Sequence, residues 1–588
     1  MGAIALGSSD VAPCGTTDLE APVLRARGRK LLEENALNAL LTLVSEEIFE
    51  INVVAPSYNL DFVLQARSTS AAATAAPLVA AQLGPQARVT ILFSGLGEDS
   101  GRFLHVSFQD TSVRKKLLTQ NGRISFVAQL HDLANAFIAG FDLVSAEPDI
   151  PTDVFDFSDM DGDIGAEFGG LGPIEDVIKA LCEVAHYTTP LDWAPRQVRV
   201  REAMAYSKRL KCPVGGAGIV IAQPDTGVKV HRELEGAIEP NGGWDILLNC
   251  APAIDPRTGG NGNPGHGTAT ASVAASRETY DILGAAPCAT LFPIRCIEDV
   301  KVFKTAPTAL AIEKAIAVGA DVISMSFGGL PSAHVRHAIR EAVARGILVV
   351  AAAGNCIGIV VWPARYDACI SVAGSSAAGA PWQGTSHWGP VAIGAPAELV
   401  WYASAKEHCP ISSGQGTSFA AATTAGAAAQ WLAHKTPQAV RLRAERDNAR
   451  AQDLFRAALR QSATPWSDGA RHCGPGIVNI EKLLALDLQA IPPVIPADIG
   501  EQEIERRIPA EFADIYAAFG GDPHDVVAFD WERYGAELAW VAIMRAIAAR
   551  AAGGALEAAD PIVTSAALAA AVAVTGNEAL GRWVGAAA

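Results

Sequence analysis

The sequence has few basic residues for its length, and this scarcity excludes one large class of function. Its 46 Lys and Arg are outnumbered by 63 Asp and Glu, so the formal net charge is −17 at pH 7. Proteins that bind nucleic acids usually present a basic face to the phosphates. We therefore expect no nucleic-acid partner.

The sequence also lacks a long, unbroken apolar run. A membrane-spanning helix needs about 20 consecutive apolar residues, whereas the apolar stretch 346–362 is interrupted by Gly354-Asn355-Cys356. Residues 1–13 show no basic start followed by an apolar core, which is the pattern of a secretory signal. The sequence predicts no membrane span and a cytoplasmic location, with secretion by another route left open.

Metal-ligand spacings are absent as well. The ten cysteines form no CxxC pair and no cluster with histidine along the sequence, so we expect most of them to be small buried residues, with one or two disulfides left open. The acidic run Asp159-x-Asp161-x-Asp163 lacks the glycine and glutamate of an EF-hand loop, since Ile164 and Gly170 occupy those positions. We predict no metal ligands and no cofactor, while a calcium requirement stays open.

The middle of the chain alternates between short apolar runs and helical stretches. The apolar runs are typical of buried strands, and they cover residues 217–224, 290–296, 321–327, 347–353 and 369–373. Such alternation is typical of a parallel sheet with helices on both faces. We predict an α/β domain over residues 190–490.

The flanking regions differ from this domain in pattern. Residues 1–150 form an N-terminal region with a small α+β unit at about 87–150, whose last strand is predicted at 142–146. Residues 151–189 read as an acidic linker and a helix. Residues 491–588 begin with a Pro-rich spacer and continue as a mostly helical extension, whose helices are a candidate surface for a partner protein.

A Gly/Ser/Thr run gives way to small helix formers at Ser418. The stretch Gly416-Thr417-Ser418-Phe419-Ala420-Ala421 predicts that Ser418 lies near a helix N-terminus. Backbone N–H groups are unsatisfied there, so they can hold a developing oxyanion next to a nucleophilic hydroxyl. Most serines at this position only cap the helix, and the interpretation of Ser418 therefore depends on other residues.

Three further polar residues stand where apolar runs end or helices begin. Asp225 ends the run 217–224, Asn355 follows the run 347–353, and His266 lies between two glycines at the start of a run of small residues. In an open α/β sheet the carboxyl ends of the strands share one edge, and this edge is where ligands bind. The order Asp225, His266, Ser418 is the order of catalytic residues in subtilisin.

The resemblance extends beyond this order. The chain resembles the subtilisin-like serine proteases, the subtilase family, over roughly residues 190–490. The blocks that carry the resemblance are Ile221-Ala222-Gln223-Pro224-Asp225-Thr226-Gly227, Gly265-His266-Gly267-Thr268, Ile323-Ser324-Met325-Ser326-Phe327-Gly328-Gly329, Val349-Val350-Ala351-Ala352-Ala353-Gly354-Asn355 and Gly416-Thr417-Ser418.

The resemblance implies a role for each matched residue. Ser418 is expected to attack the scissile carbonyl, His266 to transfer the proton, and Asp225 to orient His266. Asn355 is expected to donate to the oxyanion. Substrate-binding residues are expected on an edge strand (Ser326, Phe327, Gly328) and in the wall of the specificity pocket (Ala352, Gly354). Cys356 directly follows Asn355, and it is expected to be a small buried residue, with an oxidant-sensing thiol as the alternative.

The expected function is that of a serine endopeptidase acting on peptide or protein substrates. Two alternatives remain: a latent or inactive binding protein on the same fold, and an esterase or transacylase that uses the same triad. Many subtilases carry an N-terminal α+β propeptide that assists folding and inhibits the enzyme. Residues 87–150 fit this pattern, and the competing interpretation is an unrelated accessory domain.

Overall fold

The computed structural model describes most of the chain beyond residue 60. The described residues are 60–83, 87–94, 100–108, 120–141, 143–150, 187–256, 263–302, 304–406, 409–492, 508–551, 553, 554, 556, 559 and 561–585. The N-terminal residues 1–59 and the predicted acidic linker with its helix up to residue 186 lie outside them. Within the described part of the chain, every helix is too short or too polar to cross a membrane.

A parallel sheet of seven strands forms the centre of the molecule. Its strands are β5 (Val220–Asp225), β6 (Trp244–Asp245), β7 (Thr290–Arg295), β9 (Val322–Met325), β11 (Leu348–Ala352), β12 (Ile370–Ser375) and β13 (Ile393–Pro396). Their spatial order is β13-β12-β11-β9-β5-β7-β6, and every neighbouring pair is parallel. Two short pairs lie outside this sheet, β8 (Lys301–Val302) with β10 (Gly328–Gly329) and β14 (Val400–Ala403) with β15 (Ile411–Gly414).

Helices cover both faces of this sheet, which confirms the predicted α/β class. The helices of this region are α3 (Trp193–Gln197), α4 (Val200–Arg209), α5 (His266–Ala275), α6 (Ala306–Ala317), α7 (Ala333–Ala344), α8 (Thr417–Lys435), α9 (Pro437–Arg446), α10 (Ala451–Ser462) and α11 (Ile480–Ala485). Side chains alternate between the faces along each strand. In β11, for example, Leu348 and Val350 join one core while Val349 and Ala351 join the other.

The two cores have different partners. The first, which we call the catalytic-side core, contains apolar residues of α5, α8 and α10. The second, which we call the shared core, contains residues of α6 and α7, and it continues without a break into the N-terminal unit and the C-terminal helices. Three predicted regions of the chain therefore share one hydrophobic core.

The N-terminal unit is an antiparallel sheet of four strands covered by two helices. Its elements are β1 (Leu60–Gln65), α1 (Thr69–Leu83), β2 (Ala87–Leu92), β3 (Phe103–Phe108), α2 (Gln120–Phe141) and β4 (Ser145–Asp149). The strand order in the sheet is β2-β3-β1-β4. Apolar side chains such as Phe62 and Leu64 face α1 and α2, whereas the alternate residues of the same strands are mostly polar.

The boundaries of this unit differ from those predicted from the sequence. The sheet already begins at Leu60 rather than at about residue 87, because β1 is a central strand whose partners are distant in sequence. The last strand is Ser145–Asp149 rather than 142–146. Its sequence, Ser-Ala-Glu-Pro-Asp, has low strand propensity, so pairing with β1 decides its position.

Acidic residues of β4 fasten this unit to the central domain. Both carboxylate oxygens of Glu147 accept from the Ala333 N–H, at 3.0 and 3.1 Å, at the start of α7. Asp149 accepts from the N–H groups of Thr305 and Ala306 at the start of α6. The positive ends of two helix dipoles thus meet two buried carboxylates.

The C-terminal extension contacts both other regions. It contains α12 (Ala513–Ala518), α13 (Trp531–Ala551), α14 (Ala566–Thr575) and α15 (Glu578–Val584). The buried Arg365 of the central domain pairs with Asp514. On the other side, Asp132 of α2 accepts from the N–H groups of Ala566 and Ala567, at 3.1 and 3.0 Å, and thereby caps α14.

Candidate active site

Asp225 is the last residue of β5, at the carboxyl edge of the central sheet. Its side chain is almost fully buried. Oδ1 accepts from the backbone N–H of Thr226 at 2.7 Å, and Oδ2 accepts from the hydroxyl of Thr270 at 3.1 Å. These bonds stabilise the ionised carboxylate and fix its orientation.

His266 is the first residue of α5, and glycines on both sides allow it to reach Asp225. Gly265 has a left-handed backbone (φ +79°), and a Cβ there would lie 2.3 Å from the Cβ of Ala405. A Cβ at Gly267 would lie 2.1 Å from the carbonyl oxygen of Gly227. Helix α5 can therefore approach the end of β5 only with glycine at these positions.

The two side chains form a hydrogen-bonded pair. His266 Nδ1 lies 2.8 Å from Asp225 Oδ1, so Nδ1 carries the proton that it donates and Nε2 faces away from Asp225. Burial lowers the pKa of His266, but the charge and hydrogen bond of Asp225, with weaker help from Asp299 and Asp255, outweigh it. The pKa of His266 consequently lies above its ordinary value.

Ser418 lies in the first turn of α8, as the sequence predicts, and its side chain is 8% exposed. Its hydroxyl donates to the carbonyl oxygen of Ser326 at 2.9 Å. Among the described residues, no hydrogen bond joins Ser418 to His266. The Ser326 hydroxyl in turn donates to the carbonyl of Ser418 at 3.0 Å, so the two serines are held together by a reciprocal pair of bonds.

Asn355 follows β11, and its orientation is defined by two donors. Oδ1 accepts from the backbone N–H of Thr417 at 2.8 Å and from the hydroxyl of Thr417 at 2.9 Å. An N–H can only donate, so the acceptor must be the amide oxygen rather than the amide nitrogen. The Asn355 NH₂ group therefore points away from Thr417, and it donates to no protein group within the described part of the chain.

The residues predicted to bind substrate lie around these groups. Ser326 and Phe327 follow β9, and Gly328 pairs with Lys301 through β10 and β8. Ala352 ends β11 and is buried. Gly354 lies beside Val361 and Ser386, where a Cβ would come within 3.0 Å of Val361 Cγ2. The role of these residues in substrate binding stays a prediction.

Supporting residues that the sequence analysis does not identify hold this arrangement together. Thr417 donates to Asn355 and accepts from the Gly354 N–H at 3.1 Å, so one hydroxyl links the helix of Ser418 to the loop of Asn355. Thr270 supports Asp225, one helical turn after His266. The only signal for either residue in the sequence is a hydroxyl close to a candidate catalytic residue, and this signal is too common to be specific.

Cys356 is fully buried and takes part in a disulfide, so it is not a thiol in this structure. Its partner lies outside the described residues. The backbone at Cys356 is left-handed (φ +68°), and its N–H donates to the carbonyl of Gly384 at 2.7 Å. The predicted burial is confirmed, while the alternative of an oxidant-sensing thiol requires reduction of this bond.

The geometry brings together an acid–base pair, a hydroxyl at a helix N-terminus and an unengaged amide donor. His266 can accept a proton at Nε2 and become a cation next to the buried carboxylate of Asp225. The Asn355 NH₂ group and the N-terminus of α8 can stabilise a negative oxygen. This set of groups suits attack of a hydroxyl on a carbonyl.

Comparison with known proteins points to a single family. The family model described as the subtilase family, Peptidase_S8, matches residues 216–477. Thermitase of Thermoactinomyces vulgaris is 31% identical over 301 residues, which cover 50% of this chain and 96% of thermitase. An alkaline protease of Shouchella clausii is 31% identical over 203 residues, covering 34% of this chain and 50% of that protein.

Solved structures are similar over part of the chain. A mutant of the protease domain of PatA superposes with a TM-score of 0.39 at 25% identity, covering 47% of this chain and 97% of that domain. Fervidolysin from Fervidobacterium pennivorans gives a TM-score of 0.48 at 18% identity, covering 76% of this chain and 64% of fervidolysin. Neither superposition is close enough to support an argument about function.

Proposed function

Because the chain belongs to the subtilase family of serine proteases, we propose that it is an endopeptidase whose nucleophile is Ser418 and whose base is His266. The observation that carries this assignment is the hydrogen bond of 2.8 Å between the buried carboxylate of Asp225 and His266 Nδ1. It selects the tautomer in which Nε2 can accept the proton of Ser418.

The first chemical step is attack of Ser418 Oγ on the scissile carbonyl. Substrate binding turns the hydroxyl from the Ser326 carbonyl towards His266 Nε2, which takes the proton as the Oγ–C bond forms. The carbonyl oxygen becomes an oxyanion and accepts from the Asn355 NH₂ group. Collapse of this intermediate breaks the C–N bond, and the leaving amine takes the proton from His266.

The second step releases the acyl group by hydrolysis. Water loses a proton to His266 and attacks the acyl carbon, and the same donors hold the second oxyanion. Ser418 then regains its proton as the ester bond breaks. Throughout, the Asp225 carboxylate stays ionised and stabilises the imidazolium.

A serine-directed phosphonate tests the proposed nucleophile. We expect wild-type protein to be labelled on Ser418, Ser418→Ala to stay unlabelled, and Asp225→Asn to be labelled much more slowly. Labelling at another serine would contradict the assignment. Absence of labelling in folded wild type would favour the latent binding protein, and preferential turnover of esters over matched peptides would favour the esterase.

We further propose that the N-terminal unit is a propeptide that the enzyme removes itself. The proposal is supported by the polar contacts of Glu147 and Asp149 with α6 and α7, and by the position of this unit before the catalytic domain. Intact mass is the test. Wild type should be cleaved between Ile150 and Tyr187, and Ser418→Ala should stay intact. If both proteins stay intact while wild type is still labelled on Ser418 by the phosphonate, self-processing is refuted but the endopeptidase is not.

A further inference from the structure

A group of soft metal donors lies on two loops that are far apart in sequence. His387, His472 and Cys473 each offer one ligand atom, and these atoms lie within 4.8 Å of one another. His387 belongs to the loop between β12 and β13, and the other two belong to the loop between α10 and α11. The separation in sequence explains why the sequence shows no His/Cys cluster.

The His387 ring is already oriented as a ligand. Its Nδ1 lies 3.1 Å from the carbonyl oxygen of Thr385, so Nδ1 donates and the lone pair of Nε2 is available. Histidines that bind metals typically donate their other ring nitrogen in this way.

Cys473 and His472 differ in exposure in a way that suits a metal site with one open position. Cys473 is fully buried and is a free thiol. His472 is exposed, and its ring centroid lies 4.5 Å from that of His387. Thus a cation reaches the group from solvent, and water can complete its coordination.

We propose that His387, His472 and Cys473 bind one Zn²⁺ ion, with water in the fourth position. Zn²⁺ prefers tetrahedral sites built from thiolate and imidazole ligands, whereas Ca²⁺ and Mg²⁺ prefer oxygen ligands. The Cys473 thiol loses its proton when the Zn–S bond forms. This site is separate from Ser418 and His266, and it does not depend on the proposed peptidase activity.

The position of the site connects it to the loop that carries Asn355. The His387 N–H donates to the Gly358 carbonyl at 3.0 Å, and the Ser386 N–H donates to the Gly354 carbonyl at 2.9 Å. Zinc bound at His387 would hold one loop against the other. Accordingly, we infer that the ion restricts the motion of the loop that carries Asn355.

Cobalt substitution tests the donor set directly. Purified Ser418→Ala chain, which stays intact under either outcome of self-processing, is stripped with EDTA and titrated with Co²⁺ in oxygen-free buffer without added thiols. We expect one equivalent to produce a thiolate-to-cobalt charge-transfer band and tetrahedral d–d bands, and one equivalent of Zn²⁺ to abolish them.

Variants separate this site from other ligands. Cys473→Ser and His387→Gln should remove the charge-transfer band, while Cys369→Ser, a matched change at another buried thiol, and Cys409→Ser, at an exposed thiol, should leave it. A second group with metal-ligand geometry, Asp61, His105 and Asp149, contains no sulfur and cannot produce the band. Circular dichroism of the metal-free variants verifies folding.

Absence of the charge-transfer band in the Ser418→Ala chain, or its persistence after Cys473→Ser, would refute the zinc site. For the connection to the Asn355 loop, Zn²⁺ should slow hydrogen exchange at the amides of Ser386 and His387, and Cys473→Ser should abolish the effect. Unchanged exchange in a zinc-loaded chain would refute this restriction of the loop.

Discussion

The two faces of the central sheet are built in different ways. On one face, α5 and α8 lie directly on the strands, and residues 267–275 and 417–433 are all buried. On the other face, α6 and α7 present their N-termini to acidic groups of the N-terminal unit, and the C-terminal helices complete the shared core. Close packing of small residues thus positions the candidate catalytic groups, while long-range polar contacts hold the covering regions.

This difference predicts that substitutions on the two faces affect different properties of the protein. Changes on the catalytic-side face should affect turnover with little effect on the attachment of the N-terminal unit. Changes on the face that packs against the shared core should affect the attachment of the N-terminal unit and the stability of the protein, with little effect on the chemical step.

Asp225→Asn should cause the largest loss. An amide at this position no longer stabilises the imidazolium or selects the tautomer of His266, so we expect kcat to fall by about 10⁴-fold, the loss known for equivalent changes in serine proteases. The measurement is a pH profile of kcat/KM on a peptide substrate.

The pH profile distinguishes this role from a purely structural one. Neutral His266 is the base, so wild-type activity should fall as the pH drops through the raised pKa of His266. Removal of the Asp225 charge should shift this limb to lower pH. An unchanged limb position in the variant would contradict the assigned partnership. Asp281→Asn, at a partly exposed position where the carboxylate pairs with Arg232, is the control.

Asn355→Ala should lower kcat by about 10²–10³-fold with little change in KM; this magnitude is the one known for the corresponding asparagine of subtilisin.

Thr417→Val keeps the shape of the side chain but removes the hydroxyl that fixes Asn355. It should cost roughly tenfold, as expected for one or two lost hydrogen bonds, and Thr417→Ser should restore the activity. Equal losses in kcat and in substrate affinity would indicate a binding role instead.

Glu537 offers a test within the C-terminal helices. Burial raises its pKa to about 7, although the N–H and hydroxyl of Ser565 lower it in part. Because the pKa is raised on folding, its contribution to stability is present below about pH 4.5 and is lost as the pH rises towards 7.

Glu537→Gln should therefore remove part of the decline in stability between about pH 5 and 8, by about 2 kcal/mol. The measurement is the thermal unfolding midpoint against pH in the Ser418→Ala background. Glu578→Gln, at an exposed position on α15, serves as the control. A profile identical to the control would show that Glu537 does not titrate in this range. In the background with intact Ser418, the peptidase activity of Glu537→Gln should match that of wild type.

The smallest effect is expected at the caps in β4. Glu147→Ala or Asp149→Ala leaves helix N–H groups of α7 or α6 without an acceptor, which costs about 1 kcal/mol per cap. In the Ser418→Ala background, each variant should make the N-terminal unit more sensitive to an added protease. Arg88→Gln, on the exposed edge strand β2, should not. When Glu147→Ala or Asp149→Ala is made in the background with intact Ser418, a change in the phosphonate labelling rate would contradict the separation between the faces.

The parts that were predictable from sequence are those with local signals. The strands that end at Asp225 and before Asn355 are continuous apolar runs, and His266 and Ser418 open runs of small residues. The structure brings these four residues to one edge of the sheet. Local patterns are sufficient here because each residue is positioned by the element that precedes or follows it.

The parts that were not predictable depend on pairing between distant segments. Strand β1 pairs with β3 and β4 across a long sequence separation, so the start of the N-terminal unit was placed too late. The capping role of Glu147 depends on a helix that begins at Ala333. Similarly, His387 and Cys473 lie on loops that are distant in sequence, and only the tertiary structure brings them together.

The cap that Asp132 provides for α14 has a consequence for the order of synthesis. The N-terminal unit leaves the ribosome well before the helix that it caps, because 434 residues separate Asp132 from Ala566. Until residues 566 and 567 have been made, the Asp132 carboxylate cannot accept from their N–H groups, and part of the shared core stays exposed. A nascent chain that ends before α14 should therefore hold its N-terminal unit less firmly than one that includes this helix. Attachment of the N-terminal unit is thereby tied to synthesis of α14.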